Sequence, residues 1–155
     1  MRKSGWSVTP QAGANLGDRH AALAHARQLI TERIGPILAA TNELETPAWG
    51  VTDQPDFLNQ VLVVDLGADA GAKKRLGAKL HALLDRTQAI ERELGRKRKG
   101  HWGPRTCDID LIFLDDLHYE DERVSLPHPW WSQRDFVGGL IRRELAGELP
   151  FPGSY

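Results

Sequence analysis

GPRTCDIDLIFLDD, residues 103–116, is the most informative stretch of this chain. From Cys107 to Leu114 it is almost wholly apolar, which is typical of a buried strand, except at Asp108 and Asp110. Alternation along a strand puts these two carboxylates on one face, about 6–7 Å apart. A carboxylate buried without a partner costs several kcal/mol. A core strand that carries two of them therefore needs a chemical explanation.

Composition limits what that explanation can be. The 155 residues suit one domain over residues 1–155, and the net charge of -1 gives no general attraction to nucleic acid or to an anionic membrane. No apolar run is long enough to span a bilayer, and we expect no signal peptide. Cys107 is the only cysteine, which excludes an intrachain disulfide framework and fits the reducing cytoplasm.

Hydrophobic periodicity and turn residues predict the order of elements. The first half should contain a weak strand in SVTPQAGAN, a helix from its N-cap Asp18 to about Ile34, a strand from Ile37 towards Leu44, a loop over Thr46–Asp56 and a central strand in FLNQVLVVDL. The second half should begin with a helix over about Ala72–Leu94, capped by Gly95, and continue with the aspartate strand, a turn at Asp115–Asp116 and a short strand at Leu117–Tyr119. An extended connector, SLPHPWW, should then lead to a last helix that a Ser132–Asp135 capping box opens and that ends at about Leu145. This order predicts an α+β fold, a ferredoxin-like split βαβ sheet with helices packed on it and with an appended hairpin and C-terminal helix.

Two interpretations of the aspartate pair are open. A lone D-x-D motif is more often an edge strand whose carboxylates face water. The strongly apolar neighbours and the nearby Arg105 favour a site instead. Two carboxylates on one face suit Mg²⁺, which binds through a few carboxylates together with substrate phosphates. Two such ions, about 3.5–4 Å apart, are a common device for attack at phosphorus.

The charges on either side of residue 106 differ sharply. RKRKGHWGPR, residues 96–105, has five Lys or Arg and no acid, whereas residues 108–122 have seven acids and no Lys or Arg. A basic run is usually a solvated surface, but its glycines predict a mobile loop, and Arg is the preferred clamp for phosphate. Trp102 within this run would either cover a flat ring or pin the loop as a hydrophobic anchor.

Three further groups of residues are weaker candidates. Gln88 and Glu91, three residues apart, share one face of the long helix. Phe57 and Asn59 share one strand face, where one can stack on a heterocycle and the other can hydrogen-bond its edge. His128 lies between two prolines. Cys107 should point away from Asp108 and serve packing, and no zinc-site spacing is present.

The segments GANLGDR, TPAWG, DQPDFLN, TQAIERELGR, HWGPRTCDIDLIF and LPHPWWSQRDF together resemble the 6-hydroxymethyl-7,8-dihydropterin pyrophosphokinase family. They occur in the family's order over nearly the whole chain, and WGPRTCDIDL is closest to the family signature. The resemblance implies a ferredoxin-like fold and an enzyme of folate biosynthesis. Such an enzyme moves diphosphate from ATP to the pterin's hydroxymethyl group with Mg²⁺ and releases AMP.

The resemblance also implies roles for individual residues. Asp108 and Asp110 would bind two Mg²⁺ ions, and Arg96 and Arg105 would be the catalytic-loop arginines. The implied pterin contacts are Thr46, Pro47, Trp49, Phe57, Asn59, Trp102 and Phe136. The implied ATP contacts are Gln88, Glu91, Arg98, Trp102, Leu111, Arg123, Ser125, His128 and Arg134. The first strand departs from the family's apolar pattern at Pro10 and Gln11, and a proline there predicts an edge strand or a bulge.

Two other functions are compatible with parts of the sequence. A two-metal nuclease or nucleotidyltransferase would use the same aspartates and basic run, but it would need a continuous basic face, and the net charge of -1 argues against one. A non-catalytic ferredoxin-like nucleotide-binding module would not need the full set of Phe57, Asn59, Arg105, Asp108 and Asp110. We therefore expect a monomeric cytoplasmic enzyme whose partners are ATP and the pterin alcohol.

Overall fold

The computed structural model describes residues 6–15, 17–46, 56–68, 74–96 and 107–145 of the chain. Strands, two long helices and two short π-helical segments lie in these ranges. In order they are β1 (Trp6–Ala14), α1 (Arg19–Arg33), β2 (Ile37–Ala40), β3 (Leu44–Thr46), β4 (Phe57–Gly67), α2 (Leu76–Arg96), β5 (Cys107–Leu114), β6 (Tyr119–Glu120), β7 (Ser125–Leu126), π1 (Asp135–Gly139) and π2 (Ile141–Leu145).

The main sheet is antiparallel and has β1 in its middle. β1 pairs with β4 on one side and with β5 on the other, while β2 and β3 both pair with β4. The sheet order is therefore β2-β4-β1-β5, which leaves β5 at an edge. Together with the strand–helix–strand–strand–helix–strand order, this confirms the predicted α+β, ferredoxin-like architecture. Within the described ranges, no helix is long and apolar enough to cross a membrane.

The two faces of the sheet have separate hydrophobic cores. On one face, α1 and α2 cover β1, β4 and β5 with fully buried side chains such as Leu23, Ile30, Leu80 and Ile90. On the other face, π1 and π2 pack on β4 and β5, and the ring of Trp131 meets Phe113 edge-on at 4.8 Å. This second cover is smaller, and it leaves part of that face available for a site.

β1 is a central strand, and of the two alternatives predicted from Pro10, an edge strand or a bulge, the structure shows the bulge. Thr9 pairs with Phe113 and Pro10 with Leu111, so Ile112 lies opposite neither. Proline has no N–H to donate to the ladder, and a bulge accommodates that loss. The carbonyl of Ile112 instead accepts a hydrogen bond from the backbone N–H of His128, at 2.9 Å.

The first helix has the predicted boundaries. The Asp18 side chain caps it by accepting a hydrogen bond from the Ala21 N–H at 3.0 Å, and the helix ends at Arg33, before Gly35 and Pro36. In the second helix Gly95 lies inside α2 and is not its cap, so that prediction is wrong. The predicted start at Ala72 lies outside the described residues.

The single strand predicted from Ile37 to Leu44 is two strands. Thr41 separates β2 from β3 because its hydroxyl accepts a hydrogen bond from the Val61 N–H, at 3.0 Å, and so takes the place of a ladder bond. Thr46 belongs to β3 and not to the predicted loop.

The C-terminal helix is also different from the prediction. The backbone N–H groups of Gln133 and Arg134 both donate to the carbonyl of Trp130, so Ser132 lies within a turn and cannot cap a helix. Arg134 precedes π1 and makes no side-chain capping bond. The predicted turn at Asp115–Asp116 is confirmed, and the short strand after it is β6, two residues later than predicted and paired with β7 in a hairpin.

Gly35, between α1 and β2, offers a test of this packing. A Cβ atom at Gly35 would lie 1.9 Å from the backbone oxygen of Asp65, so the backbone would have to move. We expect Gly35→Ala to lower the free energy of unfolding by about 1–3 kcal/mol, measured by urea denaturation. Gly95→Ala is the control, because a Cβ there meets nothing within 4 Å and alanine favours a helix. Equal effects of the two substitutions would contradict the tight contact at Gly35.

Candidate active site

The strand register brings two groups of candidate residues together. Gly13 of β1 lies opposite Asn59 of β4 and opposite Asp108 of β5. Directly paired residues project to the same face of a sheet. Asn59, Gly13 and Asp108 therefore form a row across three strands, on the face away from α1 and α2. Residues far apart in the sequence thus meet at one place because β1 pairs on both sides.

The aspartate pair has the predicted alternation. Cys107 and Ile109 are buried while Asp108 and Asp110 are exposed. β5 is an edge strand, so the carboxylates avoid the burial cost, and in this respect the water-facing interpretation was right. Burial and the charges of Asp108 and Glu91 raise the pKa of the Cys107 thiol to about 12, which keeps it protonated and fits its predicted packing role.

Asn59 belongs to a chain of buried amide and hydroxyl groups. Its Oδ1 accepts a hydrogen bond from Gln11 Nε2 at 2.9 Å, and its Nδ2 donates to Thr46 Oγ1 at 2.8 Å. Gly13 borders this network, since a Cβ there would lie 3.0 Å from Asn59 Oδ1 and 3.9 Å from the Phe57 ring. A side chain at position 13 would therefore press on Asn59 and lie against the Phe57 ring.

Phe136, the second predicted aromatic contact, lies in π1. It packs beside the apolar cluster on the same sheet face, and the guanidinium of Arg134 lies 5.9 Å from its ring centroid. π1 contacts β4, the strand that carries Phe57. Both predicted rings are half-buried at this face.

A cavity of about 490 Å³ opens at the edge of β5, between α2 and the β6–β7 hairpin. Its volume suits a small organic ligand. The cavity brings together Asp110 and six of the predicted nucleotide contacts, namely Gln88, Glu91, Leu111, Arg123, Ser125 and His128. Arg134 and Asp108 are not among its lining residues.

Glu91 closes the edge of β5 within this cavity. It is a buried residue, contrary to the usual exposure of a helix glutamate, and its Oε2 accepts a hydrogen bond from the Ile109 N–H at 2.7 Å. An edge strand otherwise presents unpaired backbone donors. The glutamate therefore ties α2 to the aspartate strand.

Asp121 holds the hairpin that forms the opposite wall. Its Oδ2 accepts a hydrogen bond from the Tyr119 hydroxyl at 2.7 Å and lies 2.7 Å from His81 Nε2 of α2. Its Oδ1 accepts hydrogen bonds from the backbone N–H groups of Arg123 and Val124. The Tyr119 hydroxyl and these N–H groups hold the pKa of Asp121 well below its usual value. Arg123 adds an ion pair with Asp85 of α2, at 3.1 Å.

His128 reaches the cavity from the segment after β7. Burial lowers the pKa of its imidazole and Arg134 acts in the same direction, while Asp110 opposes them. Its Nδ1 accepts a hydrogen bond from the Trp130 N–H at 3.3 Å, which fits a neutral ring at neutral pH.

Some of the predicted site residues lie outside the described part of the chain, and other residues at the candidate site were not predicted from the sequence. Pro47, Trp49, Arg98, Trp102 and Arg105 lie outside the described residues, as does the side chain of Arg96 at the end of α2. Sequence reasoning missed the cavity residues Thr87, Asp121 and Glu122 and the neighbours Gln11 and Gly13. Asp121 stands in an acidic run that is typical of a solvated surface. The feature that could have revealed its role is the tendency of an aspartate side chain to accept a hydrogen bond from the backbone N–H two residues later in the chain.

The sequence is similar to one family model and to several known proteins. The family model 7,8-dihydro-6-hydroxymethylpterin-pyrophosphokinase matches residues 11–142. The chain is 36% identical over 143 residues to the 2-amino-4-hydroxy-6-hydroxymethyldihydropteridine pyrophosphokinase of Methylorubrum extorquens, covering 92% of the chain and 84% of the relative. Proteins of the same name from Porphyromonas gingivalis and Bacillus subtilis are 38% and 33% identical; the matches cover 81% of the chain in each case and 81% and 70% of the relatives.

Asp121 should make the hairpin sensitive to acid. Its pKa in the folded chain lies below the unfolded value of about 3.9, so its contribution to stability is complete above that value and is lost as the pH falls through the lower folded pKa. We expect Asp121→Asn to lower the free energy of unfolding at pH 6 and to have a smaller effect at pH 3. Thermal unfolding at both values measures this.

Glu122→Gln is the matched control, because Glu122 is the exposed neighbour and loses the same charge. The Asp121 variant should also show faster amide hydrogen exchange in β6 and β7 but not in β1. The anchoring role would be contradicted if Asp121→Asn lowered the free energy of unfolding by the same amount at both pH values and by no more than Glu122→Gln does.

Proposed function

The chain belongs to the 7,8-dihydro-6-hydroxymethylpterin-pyrophosphokinase family, and we propose that it transfers diphosphate from ATP to the hydroxymethyl group of 6-hydroxymethyl-7,8-dihydropterin, with Mg²⁺ and with release of AMP. It is an enzyme, a pyrophosphokinase of folate biosynthesis. The observation that carries the assignment of its sites is the register of β1. This register sets Asn59 beside Asp108 in one row, and Asp110, two residues on, lines the cavity at the sheet edge.

The cavity at the edge of β5 suits the nucleoside end of ATP. Its described walls carry four acids, Glu91, Asp110, Asp121 and Glu122, against the single arginine Arg123. Such walls repel a polyphosphate but accept an uncharged base and sugar, for which Leu111 and Val124 offer apolar contact. The phosphates would then extend past Asp110 towards His128, Arg134 and the basic segment that contains Arg96, Arg98 and Arg105.

The other half of the site suits the pterin. Phe57 and Phe136 would stack on its ring, and Asn59 would bind its edge with support from Thr46. Pro47, Trp49 and Trp102 stay in the proposal on the resemblance to the family. Gly13 supports it, because a side chain there would crowd Asn59 and lie against Phe57, the two residues proposed to contact the pterin.

Asp108 and Asp110 fit the requirements of Mg²⁺. They are exposed carboxylates on one face, and oxygen ligands of this kind are what Mg²⁺ prefers. No group of three or more metal-binding side chains occurs among the described residues, which suits an ion that takes its remaining ligands from water and phosphate. When bound, Mg²⁺ would neutralise charge on the phosphate oxygens.

The proposed reaction needs no protein nucleophile. The hydroxyl oxygen of the pterin alcohol forms a bond to the β-phosphorus of ATP. The bond between that phosphorus and the oxygen bridging to the α-phosphate breaks, AMP leaves, and the hydroxyl proton passes to solvent. The chain would contribute by orienting both substrates, and Arg96 and Arg105 stay in the proposal, on the resemblance to the family, as the residues that would stabilise the developing charge.

Family membership favours this function over a nuclease or a non-catalytic nucleotide-binding module. The proposal extends to a monomer in the cytoplasm. A single cysteine, which is buried and has no disulfide partner, supports the cytoplasmic location.

The decisive assay is the identity of the released nucleotide. The purified chain, incubated with ATP, Mg²⁺ and the pterin alcohol, should release AMP and pterin diphosphate. Chromatographic detection of ADP, or of no new nucleotide, would contradict the proposal.

The two halves of the site should respond separately to substitution. We expect Phe57→Ala to weaken pterin binding by about 1–3 kcal/mol, the usual range for stacking of a base on an aromatic side chain. ATP binding should change little, because Phe57 is not among the residues that line the cavity. Calorimetric titration with each substrate measures both, and an equal loss for ATP would show that the subsites are assigned wrongly.

The aspartates should matter for turnover and not for folding. Since they are exposed like charges on one strand face, we expect Asp108→Asn and Asp110→Asn to leave metal-free stability equal or slightly higher. AMP release with Mg²⁺ should fall at least about 100-fold, because several kcal/mol of charge stabilisation is lost. Asp116→Asn, in the exposed turn after β5, is the control and should retain activity. Lower stability with intact activity would indicate a purely structural pair.

A further inference from the structure

Gln11 is an unusual residue for the middle of a central strand. Its side chain carries a polar amide yet it is 5% exposed, and burying an amide is costly unless it is hydrogen-bonded. Its Nε2 donates to Asn59 Oδ1 at 2.9 Å and to the carbonyl of Ala12 at 3.1 Å. Both N–H bonds of Gln11 are therefore used, and one of them is directed at a residue of the pterin site.

The hydrogen bonds of Asn59 show what this contact does. A carboxamide has two N–H donors and two acceptor lone pairs. Nδ2 of Asn59 donates to Thr46 Oγ1 at 2.8 Å and to the Leu44 carbonyl at 3.4 Å, which uses both donors. Oδ1 accepts from Gln11 and keeps one lone pair. Asn59 can thus offer a ligand an acceptor and not a donor.

Gln11 is the strongest determinant of this orientation. If the Asn59 amide turned over, its N–H groups would face Nε2 of Gln11, which can only donate. The hydroxyl of Thr46 can donate or accept and would tolerate either orientation. The Leu44 carbonyl can only accept, but it lies 3.4 Å away and makes the weaker bond.

Gly13 lies directly against this acceptor and places no side chain over it. The position of a Cβ at Gly13 would be 3.0 Å from Asn59 Oδ1, the nearest atom, and 3.3 Å from Gln11 Nε2. Because Asn59 is only 2% exposed, a flat ring would reach its oxygen only by packing directly against Gly13 and Phe57.

We propose that Gln11 is a positioning residue that sets substrate specificity: it holds Oδ1 of Asn59 towards the ligand, so that the site selects a heterocycle with an amino donor on its edge. This inference rests on the proposed function, which supplies the pterin and its 2-amino group as the donor. The site should reject the analogue in which a 2-oxo group replaces the amino group, because two acceptor oxygens would face each other.

Binding to the unmodified protein is the first test. Calorimetry should show that the 2-amino pterin alcohol binds at least about tenfold more tightly than its 2-oxo analogue. Equal affinities would overturn the inference whether or not AMP is released. Absence of AMP with an intact preference would overturn only the proposed function, so the two failures are distinguishable.

Substitution of Gln11 is the second test. Gln11→Met keeps the length of the side chain and removes the donor, so the preference for 2-amino over 2-oxo should fall about tenfold while the affinity for ATP stays unchanged. Gln11→Glu replaces the donor by an acceptor, should turn the Asn59 amide over and should favour the 2-oxo analogue. If Gln11 had a purely structural role, each variant would bind the 2-amino and the 2-oxo ligand more weakly by the same factor. That result would overturn the inference.

Discussion

The pairing of β1 with a strand on each side is the constraint on which this site depends. It sets Gly13 between Asn59 and Asp108, and a shift of one residue would turn every side chain of a partner strand to the opposite face. The bulge at Pro10 keeps this register while it absorbs a residue that cannot donate to the ladder. It also releases the carbonyl of Ile112, which holds the backbone of His128 beside the cavity. A local irregularity in the middle strand therefore shapes both halves of the site.

The exposed edge of β5 is the second constraint. A strand edge is a template for unwanted pairing unless it is covered. Here side chains from α2 and the β6–β7 hairpin cover it, through Glu91 on one side and the contacts of Asp121 with His81 on the other. A cavity remains between these covers, because two short strands and a helix do not fill the space that another full strand would occupy. The proposed nucleotide site is thus a consequence of how the edge is closed.

Charge separates the two substrates in the proposed enzyme. The cavity walls are acidic, the aspartates stand exposed at the border, and the arginines follow in the basic segment before β5. An anionic phosphate chain is stable only where cations offset the acids, and this is why the proposal assigns the phosphates to the Mg²⁺ ions and the arginines and not to the cavity walls. On the proposed pterin side, the polar side chains of Gln11, Asn59 and Thr46 are hydrogen-bonded to one another.

The sequence alone determined most of the order of elements, the cap at Asp18, the alternation of Asp108 and Asp110 and the resemblance that named most of the candidate site residues, because periodicity, capping and motif spacing are local properties. Only the tertiary structure decided that β1 is central, that Thr41 divides one predicted strand into two and that Ser132 lies in a turn. It also brought Gln11 to Asn59 and Asp121 to His81, across 48 and 40 residues of sequence. Contacts at such separations depend on strand register and helix packing, which many side chains set together and which no local pattern records.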